Sequence, residues 1–301
     1  MPSTLAIDGH TTAVIRKELR PQTIKTSRGP VEAVSWGEGP AVLSLHGAMG
    51  GYDQGILLAQ TVTYPRYGYV AISRPGYLGT PLRAGKTPQE QADLCAEALD
   101  KLGVSSAAVI AISGGGPAAL QFALRHPQRC RGLIMISACS DTLDVPIPFR
   151  FQIMKLLARI PAISDAMRKK IEKDPEKAAS SSIPDEALRR KVLQDPETGP
   201  LFLALQSSVL DRMARRLLGT ENDIRQTRAK MAYPLEQVVV RTLVVHGTSD
   251  SAVPYAQAKT LASRVPGAEL LTIEGGEHVS IYTHRTHVRA TIDRFLTTLA
   301  G

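Results

Sequence analysis

Three residues able to share one proton occur along this chain in the order serine, aspartate, histidine: Ser113, Asp250 and His278. A serine hydroxyl is a poor nucleophile until a base removes its proton during attack. An imidazole can take that proton and later return it to a leaving group. A carboxylate bonded to the other ring nitrogen holds the tautomer and stabilises the imidazolium. The chemistry open to such a trio is acyl transfer through an ester formed on the serine.

That chemistry needs three separate segments to end at one place, and each residue follows an apolar strand-like run. Ala107–Ile112 contains only Ala, Val and Ile, a pattern fit for a strand buried on both faces. Gly114, Gly115 and Gly116 then permit a sharp reversal, and Pro117 fits the first turn of a helix, where no N–H is required. A serine at the apex of such a turn carries backbone strain of roughly 1–3 kcal/mol. An ordinary strand–helix turn or a phosphate loop are the other readings of the segment. The phosphate reading is weak, because neither Gly-x-Gly-x-x-Gly nor a Gly-Lys-Ser/Thr ending is present. Asp250 closes the turn after Arg241–Gly247, and His278 follows Ala268–Ile273 and the pair Gly275-Gly276.

Strand-like runs near 31–36, 41–46, 67–73, 107–112, 131–137, 240–246 and 268–274 alternate with helical patterns such as Pro88–Leu102 and Pro117–Arg125. This alternation predicts an α/β fold with a mostly parallel sheet covered on both faces. It is interrupted once, between the fifth and sixth of these runs. Residues 141–234 read as helices over Phe149–Ala158, Ile163–Lys173, Pro184–Gln194 and Pro200–Leu218. The expected organisation is a core of residues 1–140 and 235–301 with a helical insertion at 141–234.

The order Ser, Asp, His, with a small-x-Ser-x-small elbow at Ala111–Gly115, resembles the α/β-hydrolase superfamily. Ala41–Leu45 followed by His46-Gly47-Ala48-Met49-Gly50 is similar to that family's strand and His-Gly loop. Together the motifs span roughly residues 30–140 and 235–300. The resemblance implies an α/β-hydrolase fold and a Ser113–His278–Asp250 triad. It also implies an oxyanion hole from the backbone N–H groups of Ala48 and Gly114, and a cap formed by the insertion. The turn Gly247-Thr-Ser-Asp250 before Val253-Pro254 favours Asp250 over Asp141 and Asp144, which follow an earlier strand. Two departures stand out: Ala111 where Gly is usual, and Ser73 where the loop Ser73–Thr80 usually begins with Asp. A serine elbow excludes epoxide hydrolases and haloalkane dehalogenases of this fold, which use aspartate there. His-Gly-Ala-Met-Gly also differs from the His-Gly-Gly-Pro-Gly of proline iminopeptidases.

The activity so implied is carboxylic-ester hydrolysis by a serine hydrolase. The alternatives are a serine-dependent C–C bond hydrolase of aromatic degradation, a perhydrolase-like activity, and a slow ligand receptor of the same fold. The elbow Ser113–Pro117 also looks like that of monoalkyl phthalate hydrolases, which pairs with the excess positive charge to imply a preference for anionic half-esters. Met49, Arg74, Phe149, Ile153 and Phe202 are the candidate substrate contacts, with Arg74 or an arginine of the insertion meeting the anionic group. The plainer reading of Arg74 is a turn residue bonded to nearby carbonyls.

Composition fits a compact enzyme: 301 residues, 43% hydrophobic, enough to bury a sizeable core. The net charge of +8 is dispersed among acids, and aromatic residues make up only 5%, too few for a base-stacking platform. A small-molecule ester is therefore the expected partner, not nucleic acid. The polar N-terminus lacks a signal-peptide pattern, and no apolar run reaches the roughly 18–20 residues of a membrane span. Cys95, Cys130 and Cys139 read as incidental buried thiols, in keeping with a cytoplasmic location. No cofactor is implied, and no His pair shows metal spacing. His46 reads as ordering its loop, and His126 and His246 as structural. His284 and His287 fall in the final helix, and His10 is uninformative. Oligomeric state is left open between monomer and homodimer.

Overall fold

The computed structural model describes residues 19–143, 149–158, 160–229 and 232–299. Eight strands form one sheet in the order β1-β2-β4-β3-β5-β6-β7-β8. They are β1 (Gln22–Thr26), β2 (Gly29–Trp36), β3 (Ala41–Leu45), β4 (Gly68–Ile72), β5 (Ala107–Ile112), β6 (Cys130–Ile136), β7 (Thr242–Gly247) and β8 (Glu269–Ile273). β1 pairs antiparallel with β2, and β2 with β4; every other pairing is parallel. The sequence pattern anticipates all of these except β1. That edge strand buries only Ile24 among polar neighbours, which leaves almost no periodic signal.

The helices outside the insertion are α1 (Tyr52–Val62), α2 (Pro88–Lys101) and α3 (Gly116–Arg125). The start of α2 is specified locally. Thr87 accepts from the Glu90 N–H, the Glu90 carboxylate returns to the Thr87 N–H, and Pro88 takes the first helical position. The insertion supplies α4 (Phe149–Leu157), α5 (Pro161–Lys173), α6 (Pro175–Ala179), α7 (Glu186–Gln194), α8 (Thr198–Leu210) and α9 (Leu217–Arg228). The chain then closes with α10 (Tyr255–Arg264), α11 (Ser280–Thr283) and α12 (Arg285–Thr298).

Alternation along the central strands divides the core into two layers. Leu43, Val109, Ala111, Leu133, Met135 and Val244 face α2, α3 and α10. Val42, Ala108, Ile110, Ile134, Ile136, Leu243 and Val245 face α1 and α12. Burial on both faces is why these strands read as unbroken apolar runs. All three cysteines lie in this interior as free thiols. Burial pushes each of them up to about 12, so they stay protonated and inert.

The insertion corrects one expectation. Pro200–Leu218 is not a single helix, because α8 stops at Leu210 and Arg212 adopts a left-handed conformation (φ 49°). The break turns the Arg216 side chain inward, where its guanidinium meets Asp53 at the start of α1 at 2.6 and 3.1 Å. Both side chains are fully buried. A buried carboxylate on one element attracts the charge on another only if the backbone bends to deliver it, and periodicity carries no record of that demand.

α9 seats directly on the loop that follows β4. Gly219 N–H donates to the Gly76 carbonyl at 2.9 Å, and Leu78 N–H to the Arg215 carbonyl at 2.8 Å. A Cβ on Gly219 would overlap the Tyr77 ring, and one on Gly76 would lie 2.6 Å from the Gly219 Cα. We expect Gly219→Ala to lose about 1–3 kcal/mol of stability through overpacking, despite the better helix propensity of alanine. Urea unfolding monitored by circular dichroism measures this; an unchanged midpoint would show that Tyr77 yields freely.

Candidate active site

Ser113 stands at the C-terminal end of β5 with φ 52°, a conformation side chains rarely adopt. The turn is held by close approaches that only glycine permits. A Cβ on Gly115 would lie 2.7 Å from the His46 carbonyl, and one on Gly116 would overlap the Cys139 carbonyl. The expected strained elbow is therefore present. The His46-Gly47 loop lies against it: the Cβ direction of Gly47 ends 3.0 Å from Ser113 Cβ and 3.5 Å from its Oγ.

The structure brings Asp250 and His278 together. His278 Nδ1 lies 2.8 and 3.0 Å from the two Asp250 oxygens. Asp250 Oδ1 also accepts from the Ala252 and Val253 N–H groups, each at 2.9 Å. His246 approaches from behind, its Nε2 3.2 Å from Asp250 Oδ2 and 2.9 Å from the Val253 carbonyl. Burial alone would push the Asp250 carboxyl up. The hydrogen bonds from His246, His278 and Val253 outweigh it and hold the group well below the usual carboxylate range. Asp141 is engaged elsewhere, with Oδ1 accepting from the Thr142 N–H. Asp144 lies outside the described residues.

Ser113 and His278 line one cavity of about 290 Å³ together with Gly47 and Ala48. Ser113 Oγ and His278 are not hydrogen-bonded among the described residues; bonds of this kind often tighten only when substrate is in place. The backbone nitrogen of Ala48 lies 3.4 Å from the Cβ direction of Gly114, so the two residues named from sequence are neighbours beside the serine.

Arg74 is the turn residue of the two readings, and its place as a substrate contact is corrected. It is 1% exposed, and all five of its N–H donors are used inside the protein. Nε donates to the His46 carbonyl at 2.9 Å. Nη1 donates to Gln91 Oε1 at 3.2 Å and Asp223 Oδ1 at 2.9 Å. Nη2 donates to the Gly47 carbonyl at 3.3 Å and Asp223 Oδ2 at 2.5 Å. No donor is left for a substrate carboxylate. Arg74 instead fixes the loop beside the serine. Its N–H also donates to His46 Nε2 at 3.0 Å, so His46 Nδ1 carries the proton, directed to the Gly47 carbonyl at 2.7 Å. Burial, reinforced by the Arg74 charge, pushes the His46 imidazole well down and keeps it neutral.

Three further candidates are not in the cavity wall. Ile153 is 44% exposed on α4. Phe202 is fully buried and packs edge-on against Tyr282, ring centroids 5.3 Å apart. Met49 (φ 55°) points into an apolar cluster with Leu203, Leu210 and Met213 of the insertion. Its N–H donates to Thr220 Oγ1 at 2.9 Å, and its carbonyl accepts from Gln54 Nε2 at 3.1 Å. The Phe149 side chain lies outside the described residues. The wall includes Val209 and Leu205, which belong to the apolar faces expected of the insertion, and residues that sequence reasoning did not single out, among them Gln54, Leu58, Ser182, Gln206 and Tyr282. Gln206 Nε2 donates to Ser182 Oγ at 3.2 Å across the cavity's edge. Only Gln54, close behind the His46–Gly50 loop, had a positional signal. No Lys or Arg lines this cavity among the described residues, so the expected contact with an anionic half-ester has no carrier beside the serine.

Ser73, the departure from the usual aspartate, has a defined role. Its hydroxyl accepts from the Tyr52 N–H at 3.0 Å and donates to Glu32 Oε2 at 2.8 Å, so β2 supplies the carboxylate.

Asp250 gives a test of this geometry by linkage. Its carboxyl is depressed in the folded protein, so it contributes stability above the unfolded value of about 3.9 and loses it as pH falls towards the folded value. The stability gap between the wild type and Asp250→Asn should be full at neutral pH and shrink below about pH 4. Denaturant midpoints across that range measure it, and a pH-independent gap would contradict the bonding described.

The profile of the alpha/beta hydrolase fold family matches residues 40–285. An alpha/beta hydrolase fold protein from Nakamurella multipartita is similar in structure, with a TM-score of 0.81 and 31% identity over 93% of this chain and 99% of that one. The uncharacterized hydrolase YcgS of Bacillus subtilis is 25% identical over 86% of this chain and 92% of its own length. A 2-hydroxymuconate semialdehyde hydrolase of Pseudomonas putida is 26% identical over 66% of this chain and 65% of its own. Sheet order, elbow and matched span agree, and the chain belongs to the α/β-hydrolase family.

Proposed function

We propose that this hydrolase cleaves carboxylic esters through an acyl-enzyme on Ser113. The observation that carries the reading is the meeting of a left-handed serine at a strand end with an imidazole already oriented by a buried carboxylate, in one cavity. His278 Nε2 takes the Ser113 proton as Oγ attacks the ester carbonyl. The N–H groups of Ala48 and Gly114 receive the oxyanion. The tetrahedral intermediate collapses, the alkoxide leaves with the proton from His278, and the acyl group stays on Ser113. Water, deprotonated by His278, then releases the acid and restores the serine. The insertion acts as the cap over this chemistry.

Arg74 and His46 serve as positioning residues in this scheme. They spend their hydrogen bonds on the His46 and Gly47 carbonyls, which aims the next N–H, that of Ala48, towards the serine. Preorganised donors of this kind need not rearrange as charge develops. With no Lys or Arg among the described residues of the wall near Ser113, the groups adjoining the ester bond are expected to be neutral. Similarity to the Pseudomonas putida enzyme supports a second reading, hydrolysis of a C–C bond beside a carbonyl by the same trio.

A fluorophosphonate should label Ser113, and Ser113→Ala should abolish turnover of p-nitrophenyl acetate without loss of fold. His278→Ala should cost about as much, since the members of such a unit act together. Asp250→Asn should lower kcat by roughly 10⁴-fold, as in a related triad. Labelling at another serine, or wild-type kcat for Ser113→Ala, would overturn the assignment. Turnover of a dienoic ring-cleavage compound in place of the acetate would select the second reading.

A further inference from the structure

A second, larger cavity of about 750 Å³ lies on the insertion, between α5, α6 and α8. Its floor is apolar, formed by Met167, Ile171, Val209 and Leu210, and its rim carries Lys170, Lys173 and Lys177. All three lysines are exposed, and none has a carboxylate within ion-pair distance among the described residues. Asp174 is the one acid in the rim, and its side chain caps α6 by accepting from the Lys177 N–H at 3.0 Å. The rim thus presents three positive charges against one negative.

Gln206 and Val209 belong to the walls of both cavities. The lysine-rimmed groove and the cavity of Ser113 therefore adjoin at these two residues of α8. Gln206, a long side chain at this boundary, donates through Nε2 to Ser182 Oγ at 3.2 Å.

We propose that the groove is the distal subsite for ester substrates that carry an anionic group at the far end of an apolar chain. The reactive carbonyl sits at Ser113, the chain passes Gln206 and lies on the Met167–Ile171–Leu210 floor, and the terminal carboxylate meets the lysines. Apolar length supplies affinity in proportion to the area buried, and the lysines select the charged end. The inference rests on the esterase reading. It also returns a preference for anions to this protein, with the charge a chain length from the ester.

The test compares p-nitrophenyl monoesters of eight- to twelve-carbon dicarboxylic acids with neutral p-nitrophenyl alkanoates of equal length, and uses p-nitrophenyl acetate as reference. In the wild type, kcat/KM should favour the carboxylated ester by about tenfold, the product of several exposed ion pairs. The preference should fade with added salt as screening shortens. The triple variant Lys170→Glu/Lys173→Glu/Lys177→Glu should invert it while hydrolysing the acetate at the wild-type rate. Normal acetate turnover with no charge preference in the wild type, or one unaltered in the variant, overturns the subsite alone. Absence of acetate turnover in the wild type overturns the esterase reading instead. Lysine-dependent binding to anionic phosphatidylglycerol vesicles, with no effect on soluble substrates, would make the rim a membrane contact and overturn the subsite as well.

Discussion

Two buried ion pairs decide how the insertion and the sheet fit together. Arg216 and Asp53 meet at α1, and Arg74 and Asp223 meet beside the elbow, all four side chains at least nine-tenths buried. Such pairs contribute little net stability, because desolvation offsets most of their attraction. What they impose is geometry: an unpaired charge in either place is costly, so each guanidinium must find its own carboxylate. Neighbouring polar groups complete the requirement. Tyr77 Oη donates to Asp223 at 2.5 Å, Gln91 accepts from Arg74, and Arg216 Nε donates to the Asp211 carbonyl at 2.8 Å.

The insertion reaches the loop after β3 through one helical stripe. Arg216 at the N-cap and Thr220 and Asp223 within α9 are spaced by four and three residues, which places them along one face of the helix. Arg216 faces Asp53, Thr220 accepts the Met49 N–H, and Asp223 holds the Arg74 guanidinium that pins the His46 and Gly47 carbonyls. An element inserted between β6 and β7 thereby fixes backbone groups adjoining Ser113. The conformation of that loop belongs to the assembled molecule rather than to its own sequence.

This division explains what was legible beforehand. Apolar runs, unbroken in β5 and nearly so in β3, β6 and β7, announced those strands, and the glycine-rich elbow announced Ser113, because strand burial and turn strain each leave a local composition. Asp250 and His278 were readable for the same reason, since each lies in the turn that follows a strand. The cavity wall was not. Phe202 and Val209 share α8 and similar chemistry, yet one packs behind Tyr282 and the other opens to Ser113; only tertiary placement separates them. Of the two readings of Arg74, the turn residue bonded to nearby carbonyls holds and the substrate contact does not; a buried arginine and a ligand-binding one look alike until the partner, Asp223, is brought in from 149 residues away.

The close seating of Gly219 on Gly76 and Tyr77 has a consequence for the folding of the molecule. The sheet with its flanking helices is continuous in space but not self-sufficient. Without residues 141–234, Arg74 would lose its carboxylate, and Asp53 would lose the guanidinium of Arg216. The two parts are therefore coupled through these pairs, and exchanging the insertion for one from another chain would require carrying the α9 stripe with it.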